Sequence, residues 1–71
     1  MPSQAENAKS AAARYSKNAH RSVLYGTELL AEGRYADAAT EFKNAQHSLG
    51  ELVRLARELQ AIAATEGEGS G

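Results

Sequence analysis

Two histidines and nine carboxylates are the side chains of this sequence that could do acid–base or metal chemistry. A zinc site needs three or four converging ligands. Helical phase places His47 on a polar stripe with Lys43 and Glu51, and His20 beside Lys17, so no set of three ligands converges. Cysteine is absent, which excludes disulfides and thiolate metal sites. The sequence therefore predicts no metal ion and no other cofactor.

The carboxylates include pairs one helical turn apart, Glu28 with Glu32 and Asp37 with Glu41. Acid–base catalysis by such a pair needs an apolar pocket that separates the proton affinities of its members, and no such pocket is indicated. No phosphate-binding glycine loop, nucleophile elbow or zinc-protease helix motif occurs. We expect solvated helix faces, no catalytic residue and no enzymatic activity.

Charge is distributed unevenly, although the net charge is only −1. Up to Arg21 there are four basic residues and one acidic residue, whereas from Ser22 onward eight acidic residues face four basic ones. One use of this asymmetry is a basic N-terminal helix that contacts nucleic-acid phosphates, with Tyr15 alone available for stacking. The simpler use, which we expect, is a basic helix laid against an acidic one.

Apolar residues do not form a membrane span. The longest strongly apolar stretch is Val23-Leu24-Tyr25, far short of the roughly 20 residues that a bilayer needs. The N-terminus lacks the basic start and apolar run of a secretory signal. We expect a cytoplasmic protein with one small domain.

A first helix is predicted from about Gln4 to Glu32. Ser3 followed by Glu6 is a capping-box pattern that marks its start, and Gly33 is suited to the positive φ of a residue that follows a helix end. Small or apolar residues recur in steps of three and four along one face, namely Ala5, Ala8, Ala12, Tyr15, Ala19, Ser22, Gly26 and Leu29.

A second helix is predicted from about Ala36 to Ala64, antiparallel to the first. Its predicted seam repeats the same spacing at Ala38, Phe42, Ala45, Leu49, Leu52, Ala56, Leu59 and Ala63. The Phe42 ring is expected to fill the gap above Gly26. Folding at Gly33 would also set Lys17 beside Glu51 and Lys9 beside Glu58.

Two positions leave the helix count open. Polar residues around Asn18 could divide the first helix, and a second capping-box pattern that includes Gly50 could divide the second, giving a three- or four-helix bundle. Because the apolar seam crosses Gly50 without a change of phase, we favour two continuous helices. The hairpin domain is predicted to occupy residues 1–64, and the Gly/Glu-rich tail 65–71 is predicted to be disordered.

The turn region resembles known helical families. Six residues lie at the spacing of the small, aromatic and alanine signature positions of one tetratricopeptide repeat: Gly26, Gly33, Tyr35, Ala38, Phe42 and Ala45. Residues 33–45 are also similar to the turn and second helix of microtubule-interacting-and-trafficking domains, which are three-helix bundles. The resemblance covers about half the chain and implies a groove that holds a segment of another protein. The repeat's leading tryptophan position is Ser22, and no second repeat is present.

We therefore expect an all-α protein-interaction module that binds a helix or peptide of another protein and also self-associates. The alternatives are a purely structural, self-assembling helical bundle and a weak nucleic-acid binder. The interface is predicted at apolar residues left outside the two seams or reinforcing their flanks. These are Val23, Leu24, Leu30, Leu52, Leu55, Leu59 and Ile62.

Overall fold

The protein is a hairpin of two long antiparallel helices. The computed structural model describes residues 3–70 and the side chains of residues 3–65. Helix α1 spans Gln4–Ala31 and α2 spans Tyr35–Ser70, and they pack against each other along their length. Both are continuous, α1 through Asn18 and α2 through Gly50. The predicted all-α hairpin is confirmed.

Helix α1 begins and ends at the residues that the sequence indicates. The Ser3 hydroxyl accepts a hydrogen bond from the Glu6 amide at 3.1 Å, which satisfies one of the free amides of the first turn. At the other end Gly33 has φ +78°. Its amide donates to the Leu30 carbonyl at 3.0 Å, and the Arg34 amide donates to the Leu29 carbonyl at 2.9 Å. These two bonds form a Schellman motif, which requires the left-handed conformation that glycine adopts without strain.

Helix α2 starts directly after this turn. The Arg34 carbonyl accepts the first helical hydrogen bond from the Ala38 amide at 3.0 Å. The Arg34 guanidinium pairs with the Asp37 carboxylate at 2.6 Å, and this bond raises the pKa of Arg34. Asp37 lies in the first turn, where the helix dipole favours a negative charge.

The seam of α1 is the predicted one. Ala8, Ala19, Gly26 and Leu29 are its buried residues, and Ala5, Ala12, Tyr15 and Ser22 between them are partly buried. Such small side chains bring the helix backbones close together. A Cβ atom built on Gly26 would lie 2.6 Å from Cε1 of Phe42, so the Phe42 ring occupies the gap above Gly26, as expected.

The predicted seam of α2 is wrong in three of its eight positions, since Leu49, Ala56 and Ala63 are exposed. Ala38, Ala45, Leu52 and Leu59 face α1 as expected, but the alternate positions are Glu41, Ser48, Leu55 and Ile62. Ser48 and Leu55 are buried, whereas Leu49 is 51% exposed. The physical reason lies in α1: its small side chains hold the helices so close that Ser48 fits the seam and the larger Leu49 lies at its edge.

The predicted ion pairs between the helices do not form among the described residues. Glu51 and Glu58 both pair with Arg54 on their own helix, at 2.8 and 3.6 Å, and Lys9 pairs with Glu6 at 3.7 Å. Partners one turn away on the same helix compete for these carboxylates at no cost in loop closure. The sequence asymmetry of charge is therefore not used for cross-helix pairing in these positions.

Helix α2 continues to Ser70, beyond its predicted end at Ala64. The side chains of residues 66–70, together with all of Gly71, lie outside the described residues. The disorder of the tail 65–71 stays a prediction. Neither described helix contains a stretch long and apolar enough to cross a membrane.

Candidate protein-interaction face

One broad side of the hairpin is apolar and open to solvent. An open groove of about 500 Å³ runs between the helices there, lined by Val23, Ala39, Phe42, Lys43, Ala45, Gln46 and Leu49. Leu30 lies seven residues after Val23 on α1, and Val53 lies four residues after Leu49 on α2, so helical spacing places both on the same side. We call Val23, Leu30, Phe42, Leu49 and Val53 the apolar face.

The apolar face has substantial exposed area in a single chain. Val23 is 42% exposed, Leu30 43%, Leu49 51% and Val53 52%. Isolated exposed aliphatic residues are common on protein surfaces, but these four lie on one side of the hairpin, and Val23 and Leu49 line its groove. Contiguous apolar area of this kind favours contact with a further helix.

The opposite side of the hairpin is polar. Arg54 bridges Glu51 and Glu58 there, donating from Nε and Nη2 to Glu51 at 3.1 and 2.8 Å. The hydrogen bond and charge of Glu51 raise the pKa of Arg54, with a smaller contribution from Tyr15 on the other helix. Solvated, internally paired charges leave little reason for this side to bind another helix.

Three of the seven predicted interface residues are exposed to solvent, and the other four are buried or partly buried against α1. Val23, Leu24 and Leu30 are 42–54% exposed. Leu55, predicted on an outer flank, is only 4% exposed and belongs to the core. Leu52, Leu59 and Ile62 are partly buried along the seam. Leu52 and Leu59 thus occupy the seam positions expected of them, whereas Leu55 and Ile62 lie closer to α1 than predicted because the phase of α2 differs. The role of these residues in an interface stays a prediction.

The sequence reasoning missed Leu49 and Val53 as exposed residues. Leu49 belongs to the predicted seam of α2, and Val53 belongs to neither the predicted seam nor the predicted interface. The size of the α1 residues indicates the exposure of Leu49 and Val53. Where alanine and glycine on α1 bring the helices close together, the seam has no room for a leucine side chain. Leu24, in contrast, lies on the outer side of α1, in a groove with Lys17, His20, Arg21, Tyr25 and Glu28.

The two histidines lie on different helices, His20 on α1 and His47 on α2. His20 and His47 are both exposed. Within residues 3–65, no three side chains among histidine, aspartate and glutamate are grouped so that they could hold a metal ion.

Comparisons with known proteins returned nothing: no protein-family model matches the chain, and neither the curated proteins nor the solved structures gave a significant match.

Proposed function

We propose that this chain is a non-enzymatic, cytoplasmic protein-interaction module whose apolar face packs against α-helices of a protein chain. The observation that carries the proposal is the set of half-exposed Val23, Leu30, Leu49 and Val53 on one side of the hairpin, where Val23 and Leu49 line the groove between the helices. Helix-in-groove binding uses this type of surface, with apolar anchors one or two turns apart.

The small core of the hairpin supports the proposal. Four of its six buried hydrophobic residues are alanines, and Leu29 is the largest fully buried side chain. The chain exposes 5348 Å², against about 4,200 Å² expected for a compact protein of its mass. The excess of about 1,100 Å² exceeds the area that one partner contributes to a standard protein–protein interface, about 800 Å².

The family resemblance points in the same direction. Gly26, Ala38 and Ala45, three of the tetratricopeptide signature positions, are buried between the helices, and Phe42 packs on Gly26. Microtubule-interacting-and-trafficking domains have three helices, and a third helix on the apolar face would give this hairpin the same number. The resemblance therefore supports an α-helical segment as the occupant of the apolar face.

The test is a double substitution, Leu49→Glu with Val53→Glu. Both side chains are about half exposed in the single chain, so the fold should survive while carboxylates replace the apolar contact surface. We expect unchanged far-ultraviolet circular dichroism and loss of association, at least tenfold in dissociation constant. Association is measured with purified components, by sedimentation of the protein alone and by titration with any chain that co-purifies with it.

Leu24→Glu is the matched control, because Leu24 is equally exposed at 54% but lies on the outer side of α1. This variant should associate as the wild type does. The proposal is contradicted if the wild type and the double variant show the same mass and bind the same purified chains with equal affinity.

A further inference from the structure

We propose that the occupant of the apolar face is a second copy of this chain, packed with its turn at the opposite end to form an antiparallel four-helix bundle. The two-fold axis runs perpendicular to the helices and passes beside Leu49. This inference rests on the proposed function and specifies the partner, its orientation and the residue on the axis.

The inference starts from a change of side-chain size along the apolar face. On α2, one row of residues seven apart runs from bulky side chains near the turn to alanine at the open end: Tyr35, Phe42, Leu49, Ala56 and Ala63. On α1 the bulky Leu30 and Val23 likewise lie in the turn half, and Ala12 and Ala5 lie in the open half. Apart from Val53, which lies one turn beyond Leu49, the side chains of the face are thus large toward the turn and small toward the open end.

A face of this shape is complementary to its own copy in the reversed direction. Reversal about Leu49 places Tyr35 against Ala63 of the copy and Phe42 against Ala56. Leu49 then meets its own equivalent. On α1 the same operation places Leu30 over Ala5 and Val23 over Ala12, so large residues meet small ones at every level except the axis, where leucine meets leucine.

The pairings on the two helices are mutually compatible. Contact between Gly26 and Phe42 fixes the offset between α1 and α2. With that offset, the midpoint between Val23 and Ala12 lies at the height of Leu49 to within about one helical turn. A single two-fold axis therefore produces the large-to-small pairings on α1 and on α2 together. Two unrelated rows of residues would not be expected to share one axis.

Other arrangements use the face less well. A dimer with both turns at the same end would place bulky side chains over bulky ones and alanine over alanine, leaving voids at the open end. The hairpin measures 57 × 20 Å across its broad side, which is large enough to hold a standard interface of about 800 Å² per partner. A second copy reversed about Leu49 covers α2 from Tyr35 to Ala63, which includes the α2 residues of the apolar face.

Cysteine cross-linking tests this geometry, because the natural chain contains no cysteine. A disulfide requires Cα atoms within about 7 Å. We expect Leu49→Cys to form a covalent dimer under mild oxidation, because position 49 meets itself on the axis. Tyr35→Cys should not link to itself, since its copies would lie about 42 Å apart, but it should link to Ala63→Cys when the two variants are mixed.

Leu24→Cys on the outer side of α1 is the control for collisional cross-linking and should stay monomeric in oxidising conditions. Sedimentation of the unmodified wild type gives an independent readout, with a mass near twice 7.5 kDa expected. Linkage of Tyr35→Cys to itself, or no linkage of Leu49→Cys beyond that of the Leu24→Cys control, would overturn the reversed arrangement.

The failure of this inference differs from a failure of the proposed function. A wild type that is monomeric at all concentrations, yet binds another purified chain through the apolar face, removes the second copy as occupant and retains the interaction module. A wild type that binds neither itself nor another chain removes both.

Discussion

Gly26 is the residue on which the close approach of the two helices depends. Its missing side chain leaves room for the Phe42 ring, whose Cε1 and Cζ atoms lie 2.6 and 2.9 Å from the position a Cβ would take. Gly50 is also inside a helix, but nothing lies within 4 Å of its would-be Cβ. Packing of the Phe42 ring therefore requires glycine at position 26, whereas no packing contact requires glycine at position 50.

Substitution of each glycine by alanine should change the free energy of unfolding in opposite directions. Gly50→Ala should stabilise the protein by up to about 1 kcal/mol, because alanine has the higher helix propensity. Gly26→Ala gains the same propensity but overpacks the Phe42 ring at a cost of about 1–3 kcal/mol, so a net loss is expected. Urea unfolding of both variants measures the two changes.

The Phe42→Ala background provides the control for this pair. With the ring removed, Gly26→Ala should no longer destabilise, and its effect should approach that of Gly50→Ala. Two glycine variants that change stability equally in the wild-type background would show that the Gly26–Phe42 contact does not limit the helix approach.

At the scale of elements, the structure shows how far a sequence of this kind determines its own packing. The cap at Ser3, the turn at Gly33 and the complete seam of α1 were predictable, because each depends on local geometry or on one clear row of small residues. The phase of α2 was not predictable in the same way. Two rows of apolar residues compete on that helix, and the choice between them depends on the size of side chains on α1.

The helical phase of α2 decides which of its residues are exposed at the candidate site. An error of one position in the α2 seam exchanges Leu49 with Ser48 and moves Leu55 from the flank to the core. The exposed residues of α1, Val23 and Leu30, were identified from sequence alone because the seam of that helix was correct. Interface prediction on a hairpin is therefore only as good as the helical phase on each side.

The phase of α2 can be tested with a pair of leucines. Leu55→Ala should cost about 2–5 kcal/mol, because the side chain is only 4% exposed and its removal leaves a cavity. Leu24→Ala, at 54% exposed, should change stability by no more than about 0.5 kcal/mol. Chemical denaturation at one fixed protein concentration compares them, and a Leu55→Ala variant as stable as Leu24→Ala would place Leu55 outside the core.

At the scale of the whole molecule, the hairpin is long and thin. Its Cα extents are 57 × 20 × 12 Å, so the shortest dimension is that of a single layer of helices. One layer can bury only one side of each helix, and domains normally consist of two layers or more. The apolar face is the side on which a second layer would be added.

Thermal stability should therefore depend on protein concentration. If the folded chain associates and the unfolded chain does not, mass action raises the melting temperature as concentration increases. We expect this rise for the wild type and for Leu24→Glu, and a constant, lower melting temperature for Leu49→Glu with Val53→Glu. Differential scanning fluorimetry over a hundredfold concentration range is sufficient, and a wild-type curve independent of concentration would contradict it.

The Schellman turn at Gly33 also has a kinetic consequence. Closing a chain loop costs entropy that grows with the logarithm of its length, so the contacts with the shortest sequence separation form most readily. In this hairpin they are Leu29 with the start of α2 and then Gly26 with Phe42. Folding should therefore nucleate at the turn and propagate toward the open end within microseconds to milliseconds, as for other low-contact-order helical proteins. The same end that carries the bulky half of the apolar face would then be formed first, and a nascent chain could recognise its partner before its alanine-rich end is complete.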